Sequence, residues 1–410
     1  MKERKNLMVN VIGLGYIGLP TALMLASNGV KIVGTDYNEK LVKTLNEGRT
    51  TFKEDGLDRL FERAVQAGIK FTTEYQTTDV YILSVPTPYD KKFKTVDALY
   101  VVAGVKSILD VAPENAILVI ESTISPGTID KYVRPLVKES GKRIHLVHAP
   151  ERIIPGNMVQ ELLHNNRTIG ADDVIIGEMV KEIYASFCKG EITVTDIRTA
   201  EMTKVVENTF RDINIAYANE LAKICREGGM DVYEIIRIAN KHPRVNILTP
   251  GPGVGGHCIS VDPWFLVGDY PGLANIILQA RKINDGMPRY VIHRISEIMK
   301  EEKIHDVRKV GLYGLTYKEN VDDIRESPTL QLLERLEDGL AGGLVQVYDP
   351  LVDEDIVPNQ HHNMESFLDS LDMVVIMVGH NELKENLEKL EGKVVFDTRH
   401  IPGLEGTYQL

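Results

Sequence analysis

The stretch Met8-Val-Asn-Val-Ile-Gly-Leu-Gly-Tyr-Ile-Gly-Leu-Pro20 decides the fold. Its mostly apolar first five residues read as a short strand, Met8–Ile12, that runs straight into Gly13-Leu-Gly15-Tyr16-Ile17-Gly18. A helix-compatible pattern follows over residues 16–27. Gly13 permits a tight turn, Gly15 lets backbone approach a pyrophosphate, and Gly18 lets the helix pack on the strand. Exposed N–H groups at the helix start then hold the diphosphate. The next apolar run, residues 32–35, delivers Asp36, 18 residues beyond Gly18. A carboxylate there binds the ribose 2′-OH and repels a 2′-phosphate, so the spacing predicts NAD⁺ rather than NADP⁺.

Outward from this unit, further apolar runs at residues 80–85, 116–120 and 144–148 predict strands, with helical patterns such as residues 57–67 between several of them. Continuous rather than alternating apolar strands imply a parallel sheet covered on both faces. Ligands of such sheets bind beyond the carboxyl ends of the strands, where this chain places Pro86-Thr87-Pro88, Ser122-Thr123 and Pro150-Glu151-Arg152. From residue 199 to 228 the pattern becomes one long helix free of Gly and Pro until its end. A second helical stretch, 273–303, is expected to break near Gly286 and Pro288. Strand–helix alternation returns at 310–315, 345–348, 373–378 and 394–396. The class is therefore α/β, with two doubly wound Rossmann-like domains joined by a helical one. The boundaries read as 1–195 for the NAD-binding domain, 196–303 for the central domain and 304–410 for a second nucleotide-binding domain.

Hydrophobic residues make up 43% and charged residues 26% of the 410, the balance of a globular protein with real cores. A formal charge of −12 argues against nucleic acid as partner, while local basic pockets for anionic small molecules stay compatible with it. Lys2, Arg4 and Lys5 ahead of the apolar run 7–26 imitate a secretory signal, but the glycines at 13, 15 and 18 and Pro20 interrupt that run in a pattern with its own explanation. No other stretch approaches the roughly 20 apolar residues of a membrane span, and a cytoplasmic location is expected. Three widely spaced cysteines without a CxxC pair fit a reducing compartment and offer no zinc site. His145 with His148, and His361 with His362, lack Cys or carboxylate companions at ligand spacing, so no metal is expected.

Cys188 and Cys225 read as small buried hydrophobes. Cys258 follows Gly255-Gly256-His257 at the end of the turn-dense run Thr249-Pro-Gly-Pro-Gly-Val-Gly-Gly-His-Cys258, a composition too flexible for mere core packing, and reads as a catalytic thiolate. His257 is a poor partner for it, because adjacent side chains diverge. Lys204 and Asn208 stand one turn apart on the long helix. By spacing alone such a pair is usually a solvated face, with an oxyanion or water site as the other reading. Asp262 is open in the same way between a turn residue and a water-activating acid.

These motifs together resemble the UDP-glucose/GDP-mannose dehydrogenase family over essentially the whole chain. The resemblance rests on Val11–Leu19, Ser84–Pro88, Glu121-Ser-Thr123, Pro150-Glu-Arg152, Gly255-Gly-His-Cys258 and residues 317–327. Residues 198–202, 208–216, 242–248 and 250–265 are most similar to the members that oxidise UDP-N-acetyl-D-mannosamine. The resemblance implies that Cys258 carries a thiohemiacetal and then a thioester, with Lys204, Asn208 and Asp262 stabilising the oxyanion and positioning water. It implies Glu151 as general base in hydrolysis and Thr123 as support for a catalytic water. It places Gly13, Gly15, Tyr16, Ile17, Gly18, Asp36, Pro86, Thr87, Thr123 and Arg325 at the cofactor. Glu151, Lys204, Asn208, Gly255, Lys318 and Arg399 fall to the UDP-sugar, with Arg244 resembling an arginine that a partner subunit can contribute. Arg152 and Arg211 are assigned to an acetamido sugar. Val261 stands where UDP-glucose members carry Lys, and Pro155 where an acid often sits, which disfavours glucose. The rival readings are UDP-glucose, UDP-N-acetylglucosamine or GDP-mannose as substrate, a two-electron hydroxyacid dehydrogenase, and a non-catalytic NAD-binding regulator. A homodimer or higher homo-oligomer built on the amphipathic long helix is expected.

Overall fold

The strand β1 (Met8–Ile12) is buried from its second residue and pairs in parallel with β2 (Lys31–Thr35) on one side and β4 (Val80–Leu83) on the other. The sheet continues through β3 (Lys70–Thr72), β5 (Ile117–Ile120), β6 (His145–His148), β7 (Arg167–Ala171) and β8 (Ile192–Thr195) in the order β3-β2-β1-β4-β5-β6-β7-β8. Strand order reverses between β1 and β4, which opens the crevice where ligands of such sheets bind. The inner strands are apolar on both faces because both are covered. One layer is led by α1 (Gly18–Ser27), α2 (Leu57–Gln66) and α3 (Val174–Tyr184), with Leu19, Leu23, Leu60, Phe61 and Val180 buried against the sheet. The opposite face packs Val101, Val105, Ile108 and Ile129. Each such side chain contributes roughly 1.5–3 kcal/mol of burial.

The structure is a computed structural model and describes residues 7–90, 92–256, 258–336, 345–404 and 406–410. The chain divides into two compact units, Met1–Glu207 and Asn208–Leu410. A single helix, α4 (Ile197–Glu227), runs through the division. In the second unit, α5 (Asp262–Asp269) and α6 (Asn275–Glu301) accompany a sheet of β9 (Val310–Tyr313), β10 (Gln346–Tyr348), β11 (Gln360–His361), β12 (Met373–Ile376), β13 (Val394–Asp397) and β14 (Tyr408–Gln409). Its order, β11-β10-β9-β12-β13-β14, repeats the doubly wound pattern with all pairs parallel.

Two features depart from expectation. The strand β7, unannounced by the sequence, runs antiparallel to β6 in an otherwise parallel sheet. The expected break near Gly286 and Pro288 is absent: α6 is continuous with Pro288 inside it. The lost backbone bond is offset by packing, since Met287, Pro288 and Val291 are buried and the loop at Gly253 lies against the Pro288 ring. Among the described residues no helix is long and apolar enough to cross a membrane.

Candidate active site

At the end of β1, Gly13 adopts φ +87°, and a Cβ there would lie 2.2 Å from the Ser84 carbonyl oxygen. A Cβ on Gly18 would lie 1.9 Å from the Gly13 carbonyl oxygen, whereas one on Gly15 meets nothing within 4 Å. Protein therefore closes on Gly13 and Gly18, and only Gly15 faces an open cradle of the kind a diphosphate fills. Asp36 is buried at the end of β2, where its carboxylate accepts the Leu14 N–H at 2.8 Å and the Asn38 N–H at 2.9 Å. It thus ties the glycine turn to the neighbouring strand and retains lone pairs for a ribose hydroxyl. Beside the turn, Tyr16 and Phe52 bring their rings within 4.4 Å. The loops after β4 and β5 are bound to each other: Thr87 Oγ1 donates to the Thr123 carbonyl at 2.7 Å, and Ser122 Oγ donates to the Val85 carbonyl at 2.7 Å. Pro86 is exposed and Thr123 half-buried at that edge.

Glu151 and Arg152 follow β6 by a few residues. Arg152 does not stand free for a sugar: its guanidinium grips Glu207 of α4 at 2.6–3.0 Å, donates to Thr168 Oγ1 at 2.9 Å and reaches the Asn166 carbonyl. Glu151 is buried, with one carboxylate oxygen on the Arg152 N–H at 2.7 Å and the other on the Arg167 guanidinium. Neither Arg167 nor its second neighbour Glu121 is marked out as a site residue by local sequence pattern. Glu121 stands out in the sequence only as the first residue of a motif, and Arg167 opens β7, one of several strands whose apolar runs are too short or interrupted to announce them.

In the second unit, Cys258 is exposed while Cys225 is buried, as Cys188 is in the first unit. The Cys258 carbonyl accepts the N–H of Asp262 at 2.8 Å and of Val261 at 3.1 Å, which winds the chain into the start of α5. Asp262, the first residue of that helix, is buried and accepts a hydrogen bond from Asn208 Nδ2 at 2.6 Å. The glycines before Cys258 are packed rather than flexible, contrary to expectation. A Cβ on Gly255 would lie 2.6 Å from the Glu326 carbonyl oxygen, and the Gly256 N–H donates to the Arg325 carbonyl at 2.9 Å. The Arg325 guanidinium is itself bidentate on Asp323. Glycine is present there to let two backbone segments touch. His257 lies outside the described residues.

Lys204 and Asn208 are both buried, so their face of α4 is not a solvated one. Arg211 and Arg244 are exposed. Lys318 follows β9 and Arg399 follows β13, both half-buried, and Arg399 reaches the start of the cysteine loop, within 3.0 Å of where a Gly251 Cβ would stand. His148 is buried with Nδ1 on the Ile120 carbonyl at 2.9 Å, and burial pulls its pKa down to about 3, so the ring is neutral. Among the described residues no three His, Cys, Asp or Glu side chains gather as metal ligands.

Three family models cover most of the chain: the NAD binding domain of the UDP-glucose/GDP-mannose dehydrogenase family matches residues 7–188, its central domain 198–286 and its UDP binding domain 311–402. A UDP-N-acetyl-D-mannosamine dehydrogenase of Methanocaldococcus jannaschii is 44% identical over 95% of this chain and 92% of its own length. Among solved structures, a UDP-N-acetyl-mannosamine dehydrogenase from Staphylococcus aureus is 40% identical, covers 98% of both chains and superposes with a TM-score of 0.88. A UDP-D-ManNAc dehydrogenase from Pyrococcus horikoshii is 36% identical, also over 98% of both chains, with a TM-score of 0.90. The glycine turn with a buried acid beside it in one unit and the second doubly wound sheet in the other fall within the matched NAD binding and UDP binding domains, and the chain belongs to the UDP-glucose/GDP-mannose dehydrogenase family of NAD-dependent nucleotide-sugar dehydrogenases.

Proposed function

We propose that this protein oxidises C6 of UDP-N-acetyl-D-mannosamine to the carboxylate, by way of a covalent adduct on Cys258. The sugar assignment is supported by the names of its relatives. The observation that carries the covalent route is the setting of Cys258: an exposed thiol on a packed loop, four residues before a buried Asp262 that Asn208 holds at 2.6 Å. Bound NAD⁺ supplies the hydride acceptor in each of two successive oxidations. The Cys258 thiolate adds to the C6 aldehyde, and after the second oxidation its sulfur holds the sugar as a thioester. Lys204 and Asn208 stabilise the oxygen that becomes negative, and Asp262 orients the Asn208 amide toward it. In the final step a water held by Thr123 loses a proton to Glu151, its oxygen bonds C6, and the C–S bond breaks to regenerate thiolate. Lys318 and Arg399 neutralise the diphosphate, and Arg244 reaches the sugar of a partner subunit. Arg325 serves the cofactor, and Arg152 braces the Glu151 segment against Glu207 of α4.

The reading extends to a three-domain division at 1–195, 196–303 and 304–410, a cytoplasmic location and a product that feeds surface polysaccharide. It also includes a homodimer. Phe210, Tyr217 and Ile224 are exposed on α4 at seven-residue intervals, an apolar stripe suited to the same helix of a second copy.

The test is the NADH yield with limiting UDP-N-acetyl-D-mannosamine, run beside UDP-N-acetylglucosamine and UDP-glucose. About two NADH per sugar, with the mannosamine form preferred, is expected. Cys258→Ser should stop at about one per active site. A wild-type yield near one, or undiminished turnover by Cys258→Ser, would overturn the covalent route.

A further inference from the structure

The antiparallel register Val147↔Ala171 and His148↔Gly170, continued past the end of β6, brings Glu151 opposite Arg167. The Arg167 guanidinium is buried against the edge-on pair of Tyr184, 4.5 Å to its ring centroid, and Phe187, 5.3 Å to its ring centroid. One of its nitrogens binds Glu151, and another stands 4.0 Å from Oε1 of Glu121. Glu121 follows β5, is only 1% exposed, and receives hydrogen bonds on Oε1 from Tyr184 Oη at 3.0 Å and Thr21 Oγ1 at 3.3 Å. Its Oε2 and the nearer Arg167 nitrogen have no hydrogen-bond partner among the described residues. One buried cation therefore serves two buried carboxyls, and only Glu151 is in direct contact with it.

We propose that Arg167 and Glu121 are positioning residues for Glu151: Arg167 holds the carboxylate in place, and the charge state of Glu121 sets how strongly Glu151 attracts a proton. The inference rests on the reading of Glu151 as the base in thioester hydrolysis. While Glu121 is protonated, the guanidinium charge falls wholly on Glu151 and weakens it as a base. Once Glu121 ionises, a second negative charge shares the same guanidinium and strengthens Glu151. The groups facing Glu121 are Arg167 of β7, Glu151 after β6, Tyr184 of α3, Thr21 of α1 and Ser84 after β4, with Cys188 close to Arg167. Burial pushes Glu121 up to about 7, against the lowering pull of Arg167, so the switch lies at neutral pH. No co-reactant is needed, because the proton Glu121 releases exchanges with solvent as pH changes.

The experiment follows decay of the Cys258 adduct by rapid quench and intact-protein mass, after mixing enzyme with UDP-N-acetyl-D-mannosamine and NAD⁺ between about pH 6 and about pH 9. The wild type should show an inflection near neutrality. Glu121→Gln mimics the protonated state and should lose it, with the high-to-low pH rate ratio falling about three- to tenfold. A purely structural role would slow decay equally at every pH. Tyr184→Phe removes one lowering hydrogen bond without changing shape and should move the inflection upward, which decides the matter if the glutamine variant fails to fold. A Glu151→Gln control separates the two ideas. If it stalls with adduct while Glu121→Gln and Tyr184→Phe keep the wild-type profile, the inference falls and the base assignment stands. If Glu151→Gln hydrolyses normally, or no adduct forms at all, the base reading falls and takes the inference with it.

Discussion

Three cysteines of one chemistry take different fates here because of where their backbones run. Cys188 and Cys225 are buried within the hydrophobic cores of their units, while Cys258 is exposed at the end of a loop whose Gly255 and Gly256 backbones pack closely on Tyr317 and on the Arg325 and Glu326 carbonyls. Asp36 shows the same dependence on position. Its oxygens already accept two backbone N–H groups, so it shapes the glycine turn, and the proposed ribose contact would use the lone pairs that remain. Asp36→Ala should weaken NAD⁺ binding by about tenfold or more, the worth of a charge-assisted hydrogen bond, and should also lower the stability of the cofactor-free protein by about 1–3 kcal/mol through the stranded Leu14 N–H. Calorimetric titration and a denaturant melt read the two effects separately. Unchanged NAD⁺ affinity would remove Asp36 from the cofactor site.

At the scale of elements, the second unit is organised by buried polar ties between α4, α6 and the cysteine loop. Asn219 of α4 donates to Asn284 of α6 at 2.9 Å and accepts the Gly251 N–H at 2.8 Å. Asp212 of α4 accepts from Asn284 at 2.8 Å and from Arg281 at 2.6 Å, with both charged side chains buried. Such a pair contributes little over an apolar replacement, but breaking it leaves a buried charge behind. Asp212→Asn should therefore destabilise the protein by about 3 kcal/mol, moderated by the remaining contact of Arg281 with Asp285, and a chemical melt should show it. A loss under half that size would mean that Asp285 or water takes over. The same ties explain why Pro288 does not break α6: the helix is held from outside at Arg281 and Asn284, just ahead of the proline.

For the whole molecule, the stripe of Phe210, Tyr217 and Ile224 bears on assembly. Their exposures of 66%, 52% and 53% along a single helix face exceed what scattered surface residues need. If the proposed homodimer uses this face, the wild type should sediment as a dimer and the doubly substituted Phe210→Asp, Tyr217→Asp protein as a monomer, with its near-ultraviolet circular dichroism retained. A dimer that survives both substitutions would place the interface on another face. The net charge of −12 keeps long-range attraction from assisting such association, so its drive must be burial of apolar area.

Much of this protein is written in neighbouring residues. The glycine turn after β1, the acid at the end of β2, the apolar runs of both sheets and the glycine-free α4 are recognisable because backbone limits and side-chain periodicity act over a few positions. The partners of those elements are not. That Lys204 and Asn208 face inward, that Asn208 meets Asp262 across 54 residues, and that Glu151, Arg167 and Glu121 share one buried charge depends on strand register and helix packing. Gly286 and Pro288 mark the limit most clearly, since local propensity predicts a break and tertiary contacts override it. The sequence by itself determined most of the inner strands of both sheets, the long helix α4 and the glycine turn of the NAD-binding domain. The tertiary structure decided which distant polar groups meet, because the desolvation that makes those meetings matter exists only once the chain is folded.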